Sequence, residues 1–184
     1  MKKVIKIGAI FLLFLGMMSC NKAKRETEKR VTKFIGDTLT LPEKSNVLYK
    51  DSLFQENCLF NQDLKLKITT LLWGDCKSCI AKLEKWDTLF NLTQSKQDIG
   101  ILFYLYTSDF SLFRKRIYNH NVQQYPLILD KEFEYIDNNG LPFKKKVYQT
   151  FLLDSNNRVI LVGNPIYNKK LMKLYKQEIN KRLE

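Results

Sequence analysis

The sequence predicts an α/β domain in which a central mixed β-sheet is flanked by helices. Short apolar runs typical of buried strands alternate with stretches in which apolar residues recur at three- and four-residue steps, as on one face of a helix. Near the C-terminus, two strand-like runs are separated by a polar turn at residues 154–157, which indicates an antiparallel hairpin. The 184 residues are enough for one such domain with its own core.

The predicted strands follow from apolar runs and from alternation of apolar and polar residues. Short extended pieces are expected near residues 39–41 and 47–49, at the start of the domain. Residues 99–106 form a nearly continuous apolar run, which is typical of a strand buried on both faces. The other expected strands are 64–73, 127–129, 147–153 and 159–162, of which the last two form the hairpin.

Three helices are expected between and after these strands, over residues 76–93, 110–120 and 169–183. Asp109 precedes the second of them and is suited to be its N-cap. The residues expected to share one helical face are Ile80, Leu83, Trp86 and Phe90 in the first helix and Leu171, Tyr175 and Ile179 in the third. Residues 133–146 are polar, carry a turn signal, and are expected to form a loop.

The first 19 residues are predicted to be a signal peptide. Lysines near the start precede an apolar run of about 12 residues, whereas a membrane-spanning helix needs roughly 20. Small Ser19 then precedes Cys20, and this arrangement resembles the lipobox of bacterial lipoproteins, although Met17 stands where that family prefers Leu. The resemblance implies that Cys20 carries the lipid, with acyl chains such as palmitate. The alternative is an ordinary cleaved signal in which Cys20 has no role.

Residues 20–36 are polar and highly charged, and they are predicted to be a tether between the anchor and a domain at residues 37–184. A lipid anchor would place the protein in the bacterial cell envelope, facing the periplasm, with no indication of which membrane holds it.

The net charge of +12 does not indicate nucleic-acid binding. Without Lys2, Lys3 and Lys6 of the predicted signal peptide the charge is +9, and the remaining cations are scattered, without the Arg-rich or aromatic-plus-basic pattern of a nucleic-acid surface. A basic protein held close to anionic lipid headgroups is the simpler interpretation. No nucleic-acid partner is therefore predicted.

Cys76 and Cys79 are the candidate catalytic residues. They follow a predicted strand and lie at the start of a predicted helix within a β-α-β unit. In this context a C-x-x-C motif indicates a redox-active cysteine pair. The helix N-terminus favours an anion, so the pKa of the Cys76 thiol can fall below its free value of about 8.5. Cys76 would then attack a disulfide and Cys79 would resolve the mixed disulfide. Lys77 adds a positive charge nearby, whereas Asp75 opposes the thiolate or helps to cap the helix.

Other interpretations of the cysteines remain. A structural zinc site needs four ligands. The sequence has no second C-x-x-C motif and His120 is its only histidine, which argues against zinc. Covalent haem attachment would need His where Ile80 stands. A purely structural disulfide stays open. Cys58 is interpreted as a buried small hydrophobe, with a third redox partner as the alternative. No metal and no other cofactor are predicted.

Several segments together resemble the thioredoxin superfamily, and within it the TlpA-like thiol-disulfide oxidoreductases of the bacterial envelope. The segments that carry the resemblance, across residues 37–184, are 72–74 with Trp73 ahead of the cysteines, 101–103, 125–130 and 150–154. The resemblance implies a thioredoxin fold and disulfide exchange by Cys76 and Cys79. The implied partners are envelope proteins that carry disulfides or thiols, and an upstream electron donor.

Two positions near the expected active site depart from the family pattern. Asp75 stands where the family usually has a second Trp, and Tyr148 stands where a cis-Pro usually precedes the last strand pair. A cis bond before a residue other than Pro costs roughly 2.5–4 kcal/mol, so a trans bond is expected at Tyr148. The wall that faces the substrate is therefore expected to differ. These departures leave a second hypothesis, an accessory or binding lipoprotein with little redox turnover.

Overall fold

The computed structural model describes residues 25, 28–29, 31–42, 46–50, 52–55, 64–94, 96, 98–118, 125–142 and 146–183. The predicted signal peptide, the lipidation residue Cys20, and Cys58 lie outside the described residues. The chain divides into two compact units, Met1–Ile35 and Gly36–Glu184. In the first unit the described residues 25, 28–29 and 31–34 are helical. In the part of the chain that the structure describes, no helix has the length and apolar character needed to cross a bilayer.

The second unit is built on a seven-stranded mixed sheet. Its strands are β1 (Asn46–Tyr49), β2 (Ser52–Gln55), β3 (Leu66–Trp73), β4 (Ile99–Tyr106), β5 (Leu127–Leu129), β6 (Thr150–Asp154) and β7 (Val159–Val162). They lie in the order β2-β1-β5-β4-β3-β6-β7. The three central strands β5, β4 and β3 are parallel, and every other neighbouring pair is antiparallel. This confirms the predicted mixed α/β architecture, including the C-terminal hairpin.

Five α-helices are described in this unit. They are α1 (Lys77–Ile80), α2 (Asp87–Gln94), α3 (Phe110–Tyr118), α4 (Glu134–Asp137) and α5 (Lys169–Leu183). The terminal helix α5 has the predicted bounds. The predicted N-cap of α3 is also confirmed, because the Asp109 carboxylate accepts a hydrogen bond of 2.9 Å from the Leu112 N–H.

The prediction of a single helix over residues 76–93 is wrong. A 3₁₀ helix, Leu83–Trp86, separates α1 from α2. The buried apolar residues of the segment are Ile80, Leu83, Trp86 and Leu89, spaced three apart. A 3₁₀ helix has three residues per turn, so it keeps such a stripe on one side, whereas a continuous α-helix would rotate it away from the sheet.

The loop predicted over residues 133–146 contains α4, one turn long. The Asp130 carboxylate accepts hydrogen bonds from the N–H groups of Glu134 (2.8 Å) and Tyr135 (3.1 Å), which starts the turn. Burial of Asp130 raises the pKa of its carboxyl group, and this effect outweighs the two hydrogen bonds, which lower the pKa. The segment is too short and too polar for its periodicity to indicate a helix.

The strand predicted to begin at residue 147 begins at Thr150. Residues Lys146–Gln149 form a 3₁₀ turn instead. The Gln149 side chain donates to the Pro142 carbonyl (3.0 Å), and the Gln149 carbonyl accepts a hydrogen bond from the Tyr135 hydroxyl (3.3 Å). These bonds hold the segment in a turn, and pairing with β3 starts only at Thr150, opposite Thr70.

The main core joins the helices to one face of the sheet. Trp86 packs edge-on against Phe103 at 5.2 Å between ring centroids, and Tyr175 and Ile179 of α5 are fully buried in the same cluster. The predicted inward face of the last helix therefore packs on the sheet as expected. Of the face predicted for the first helix, Ile80, Leu83 and Trp86 are buried, whereas Phe90 is only partly buried and Leu89 is buried instead. This arrangement fixes the start of α1 at the carboxyl ends of β3 and β4.

Candidate redox site

The candidate site lies in the three-residue connection between β3, which ends at Trp73, and α1, which begins at Lys77. Cys76 and Cys79 form a disulfide, with their Cα atoms 5.2 Å apart. The Cys76 carbonyl accepts hydrogen bonds from the N–H groups of Cys79 (2.9 Å) and Ile80 (3.2 Å). One helical turn therefore brings the two sulfur atoms together, and both residues are half-buried at the surface.

Gly74 allows this connection to lie against the end of β4. Its N–H donates to the Tyr106 carbonyl at 2.8 Å. A Cβ atom at residue 74 would lie 2.8 Å from Thr107 Cβ, 2.9 Å from Phe113 Cδ2 and 3.0 Å from Leu105 Cδ1. Only a residue without a side chain fits here, so the position of Cys76 depends on Gly74.

Asp75, directly before Cys76, ties the connection to the segment after β4. Its carboxylate accepts hydrogen bonds from the Thr107 hydroxyl (2.7 Å) and the Ser108 N–H (3.1 Å). The Thr107 hydrogen bond is the main cause that holds the pKa of Asp75 below its usual value. The predicted alternative role of Asp75 as a helix cap is wrong, because Cys76 is the N-cap of α1 and no side chain caps it.

Arg116 of α3 holds the same connection from the other side. One of its terminal nitrogens, Nη1, donates to the carbonyls of Asp75 (3.1 Å) and Gly74 (3.4 Å). The guanidinium charge also contributes to the low pKa of the Asp75 carboxyl group. The backbone before Cys76 is thus fixed by groups from β4 and α3, which is the kind of support that positions a reactive side chain.

The substitution Asp75→Asn is expected to lower stability in a pH-dependent way. A carboxyl group whose pKa is depressed on folding contributes stability above its unfolded pKa of about 3.9, and this contribution disappears as the pH falls through the folded value. Asp75 is exposed, so the loss at pH 7 should be below about 1 kcal/mol. The measurement is denaturant unfolding of both proteins at pH 7 and at several values below pH 4, where the difference should shrink.

The matched control is Thr107→Val, which removes the main donor to Asp75. Because the two residues share one hydrogen bond, the double variant should lose less than the sum of the single losses. A stability difference that does not change with pH would contradict the assignment of the low pKa to this contact.

Three half-buried aromatic rings form a wall at the end of β3, where the connection to Cys76 begins. Trp73 contacts Tyr106 with centroids 5.9 Å apart and Phe133 at 5.6 Å, and Tyr106 stacks on Phe133 at 3.5 Å. The Trp73 indole N–H donates to the Gln149 side-chain carbonyl at 3.4 Å. The sequence indicated Trp73 alone. Tyr106 ends a predicted strand, which could have suggested it, whereas Phe133 stood in a predicted loop and Gln149 inside a predicted strand, so no sequence signal pointed to them.

Comparison with solved structures identifies the architecture. The thioredoxin domain of a thiol-disulfide oxidoreductase from Bacteroides vulgatus superposes with a TM-score of 0.55 at 10% identity, covering 76% of this chain and 96% of that one. The fold is thioredoxin-like. A candidate protein disulfide isomerase from Bacteroides thetaiotaomicron gives 0.57 at 14% identity, with coverage of 81% and 89%. A candidate thiol:disulfide interchange protein DsbE from Chlorobium tepidum gives 0.54 at 13% identity, with coverage of 80% and 100%. No protein-family model and no curated protein matches the sequence.

Tyr148 occupies the position where the thioredoxin-like fold was expected to differ. It lies in the 3₁₀ turn before β6 and is 8% exposed. All described peptide bonds are trans, as expected for this residue. The neighbouring residue, Gln149, supplies the hydrogen bond to Trp73, so the aromatic wall is connected to this turn through a side-chain amide.

The remaining predicted site residue, Lys77, is exposed in the first turn of α1. Its neighbour Ser78 places its hydroxyl 3.3 Å from Cys76 Sγ, a contact that sequence reasoning did not assign. Among the described residues, no three His, Cys, Asp or Glu side chains are grouped so that they could hold a metal ion.

Proposed function

We propose that this chain is a thiol-disulfide oxidoreductase that exchanges disulfides through Cys76 and Cys79. One observation carries the proposal: the two half-exposed cysteines form a disulfide between the end of β3 and the start of α1 in a thioredoxin-like fold. Some solved proteins of the same fold carry the names thiol-disulfide oxidoreductase and disulfide isomerase.

The exchange transfers two electrons. In the reduced protein the Cys76 thiolate attacks one sulfur of a substrate disulfide, forms a Cys76–substrate disulfide, and releases the other substrate sulfur as a thiolate that takes up a proton. The Cys79 thiol then loses its proton and attacks Cys76 Sγ. The Cys76–Cys79 disulfide forms, the substrate leaves as a dithiol, and an upstream dithiol donor is required to reduce the pair again.

The proposal includes a location and partners. Lipidation at Cys20 would anchor the protein in the bacterial envelope and present the domain to the periplasm. Its substrates would then be envelope proteins with disulfides or thiols. Disulfides persist in that compartment, which suits a protein whose site cysteines are joined in a disulfide.

The test is a redox titration of residues 21–184, which include every described residue. The protein is equilibrated in dithiol/disulfide buffers, and free thiols are trapped and counted. One cysteine pair should titrate between roughly −120 and −270 mV, the range of known exchange proteins. Cys76→Ser and Cys79→Ser should each abolish that transition, with Cys76 the faster of the two to be alkylated in the reduced protein.

The position of Tyr148 favours a second candidate, an accessory or binding lipoprotein with little turnover. A buried Tyr in the turn beside the site changes the surface that would meet a substrate. In that case the pair should resist reduction far below the stated range, or neither thiol should exchange with a disulfide. Either result would replace the oxidoreductase proposal with the accessory role.

A further inference from the structure

The side of α5 that points away from the core is a surface of lysines. Tyr175 and Ile179 are buried, and Leu171, Met172 and Leu183 are half-buried against the core. The exposed cations on the opposite side are Lys169, Lys170, Lys173, Lys176 and Lys181, and we call this set the lysine face. The only described acidic residue of the helix, Glu178, pairs with Arg182 at 3.2 Å. From Lys169 to Lys181, the lysine face extends for about 18 Å along the helix.

Two further lysines lie near the start of the helix. Lys82 and Lys85, from the segment after the cysteines, place their Nζ atoms 5.6 and 5.9 Å from the ring centroid of Tyr167. Tyr167 itself is 56% exposed, just ahead of α5, and Leu174 on the same helix is 47% exposed. The surface therefore combines lysines with an exposed aromatic ring and an exposed aliphatic side chain.

This arrangement of charge works against helix stability. Lys169 and Lys170 stand in the first turn of α5, where the helix dipole disfavours cations, and the first turn contains no acidic residue. Pairs of like charge at three- and four-residue spacing, such as Lys169 with Lys173, are also unfavourable. Within the described residues none of the five lysines forms an ion pair. The Asn168 side chain caps the start of the helix by accepting hydrogen bonds from the N–H groups of Lys170 and Leu171, but no acidic residue of the first turn balances its two lysines. A cluster of like charges kept at this cost points to a function outside the fold.

We propose that the lysine face of α5 binds an anionic phospholipid surface. Because the apolar side of α5 is packed on the core, its attraction to a bilayer is electrostatic and acts through the lysines that the helix presents to solvent. Anionic headgroups attract lysines as point charges and need no bidentate geometry, and the lysine face contains no arginine. A nucleic acid is the other polyanion that could bind this surface. Nucleic-acid-binding surfaces, however, are typically rich in arginine and in aromatic groups placed for base stacking. The lipid surface is therefore the partner that fits best.

This inference does not depend on the redox proposal or on the lipid anchor. The experiment is co-sedimentation of residues 21–184 with vesicles of phosphatidylcholine containing 30% phosphatidylglycerol, and with vesicles of phosphatidylcholine alone. The test variant is Lys169→Gln/Lys170→Gln/Lys173→Gln. The control variant, Lys50→Gln/Lys115→Gln/Lys131→Gln, removes the same net charge from exposed positions on other elements.

Each lysine near an anionic surface is expected to contribute roughly fivefold in affinity. The test variant should therefore bind anionic vesicles at least about tenfold more weakly than the unmodified chain, and the control variant by less than about threefold. Binding should be lost in 500 mM NaCl and absent with phosphatidylcholine alone, and soluble glycerol phosphate should not compete. The far-UV spectra of all three proteins should match.

Three results would overturn the inference. Equal losses in the two variants would show that only net charge matters. Failure of the unmodified chain to bind anionic vesicles would exclude the lipid surface. Tight binding to a DNA duplex that glycerophospholipid vesicles do not displace would assign the face to nucleic acid instead. The redox titration of the same samples is a separate readout, so loss of vesicle binding leaves the exchange proposal untouched.

Discussion

The Cys79→Ser protein is expected to accumulate as a mixed disulfide between Cys76 and its substrate, because it retains the attacking thiol and lacks the resolving one. Turnover should fall on the order of a thousandfold or more, as happens when a member of a catalytic group is removed. The measurement is non-reducing electrophoresis of the reduced variant after mixing with a protein disulfide such as insulin, with turnover assayed in parallel. The complex should disappear when a reductant is added.

Cys76→Ser is the matched control. It removes the attacking sulfur and should give neither turnover nor a mixed disulfide, although Cys79 remains present. Equal trapping by the two variants would contradict the assigned roles, since both cysteines would then be able to attack. Full turnover in either variant would show that the exchange, if any, runs through another cysteine.

Gly74→Ala is expected to lower the free energy of unfolding by about 1–3 kcal/mol, the usual cost of overpacking a filled site. The added methyl group would lie within about 3 Å of Thr107, Phe113 and Leu105, and the latter two are fully buried. To relieve the contact, the connection before Cys76 must move away from β4. Exchange activity should therefore fall together with stability. Denaturant unfolding and the rate of insulin reduction measure the two effects.

Gly100→Ala in β4 serves as the control for this prediction. A Cβ at residue 100 would meet only the end of the Leu64 side chain, which can rotate. Its cost should be well below that of Gly74→Ala, and its exchange rate should be unchanged. Equal destabilisation by both substitutions would mean that loss of glycine, and not the crowded contact at residue 74, is responsible.

Much of the fold could be predicted because its elements are strongly periodic or uniformly apolar. The strands at residues 99–106, 127–129 and 159–162 and the helix at residues 169–183 have the predicted bounds. In each of them the local pattern and the packing favour the same structure, so no tertiary information is needed. The cysteine pair could be placed for the same reason, because the local sequence pattern predicts both the strand before it and the helical residues after it.

The predictions that failed concern places where packing overrides local pattern. A stripe of apolar residues three apart is compatible with an α-helix over one or two turns, and only packing on the core selects the 3₁₀ geometry of Leu83–Trp86. The turn before Thr150 looks like a strand because Val147 and Tyr148 favour extended structure. Hydrogen bonds from Gln149 to Pro142 and from Tyr135 to Gln149 hold it in a turn.

By itself the sequence determined the mixed α/β sheet, the position of Cys76 and Cys79 between a strand and a helix, and the amphipathic terminal helix. The tertiary structure decided what surrounds the cysteines. The partners of Asp75 are Thr107 and Ser108, more than 30 residues away. Trp73 forms the aromatic wall with Tyr106 and Phe133 and donates a hydrogen bond to Gln149. Contacts between residues so distant in the chain depend on strand order and register, which local periodicity does not encode.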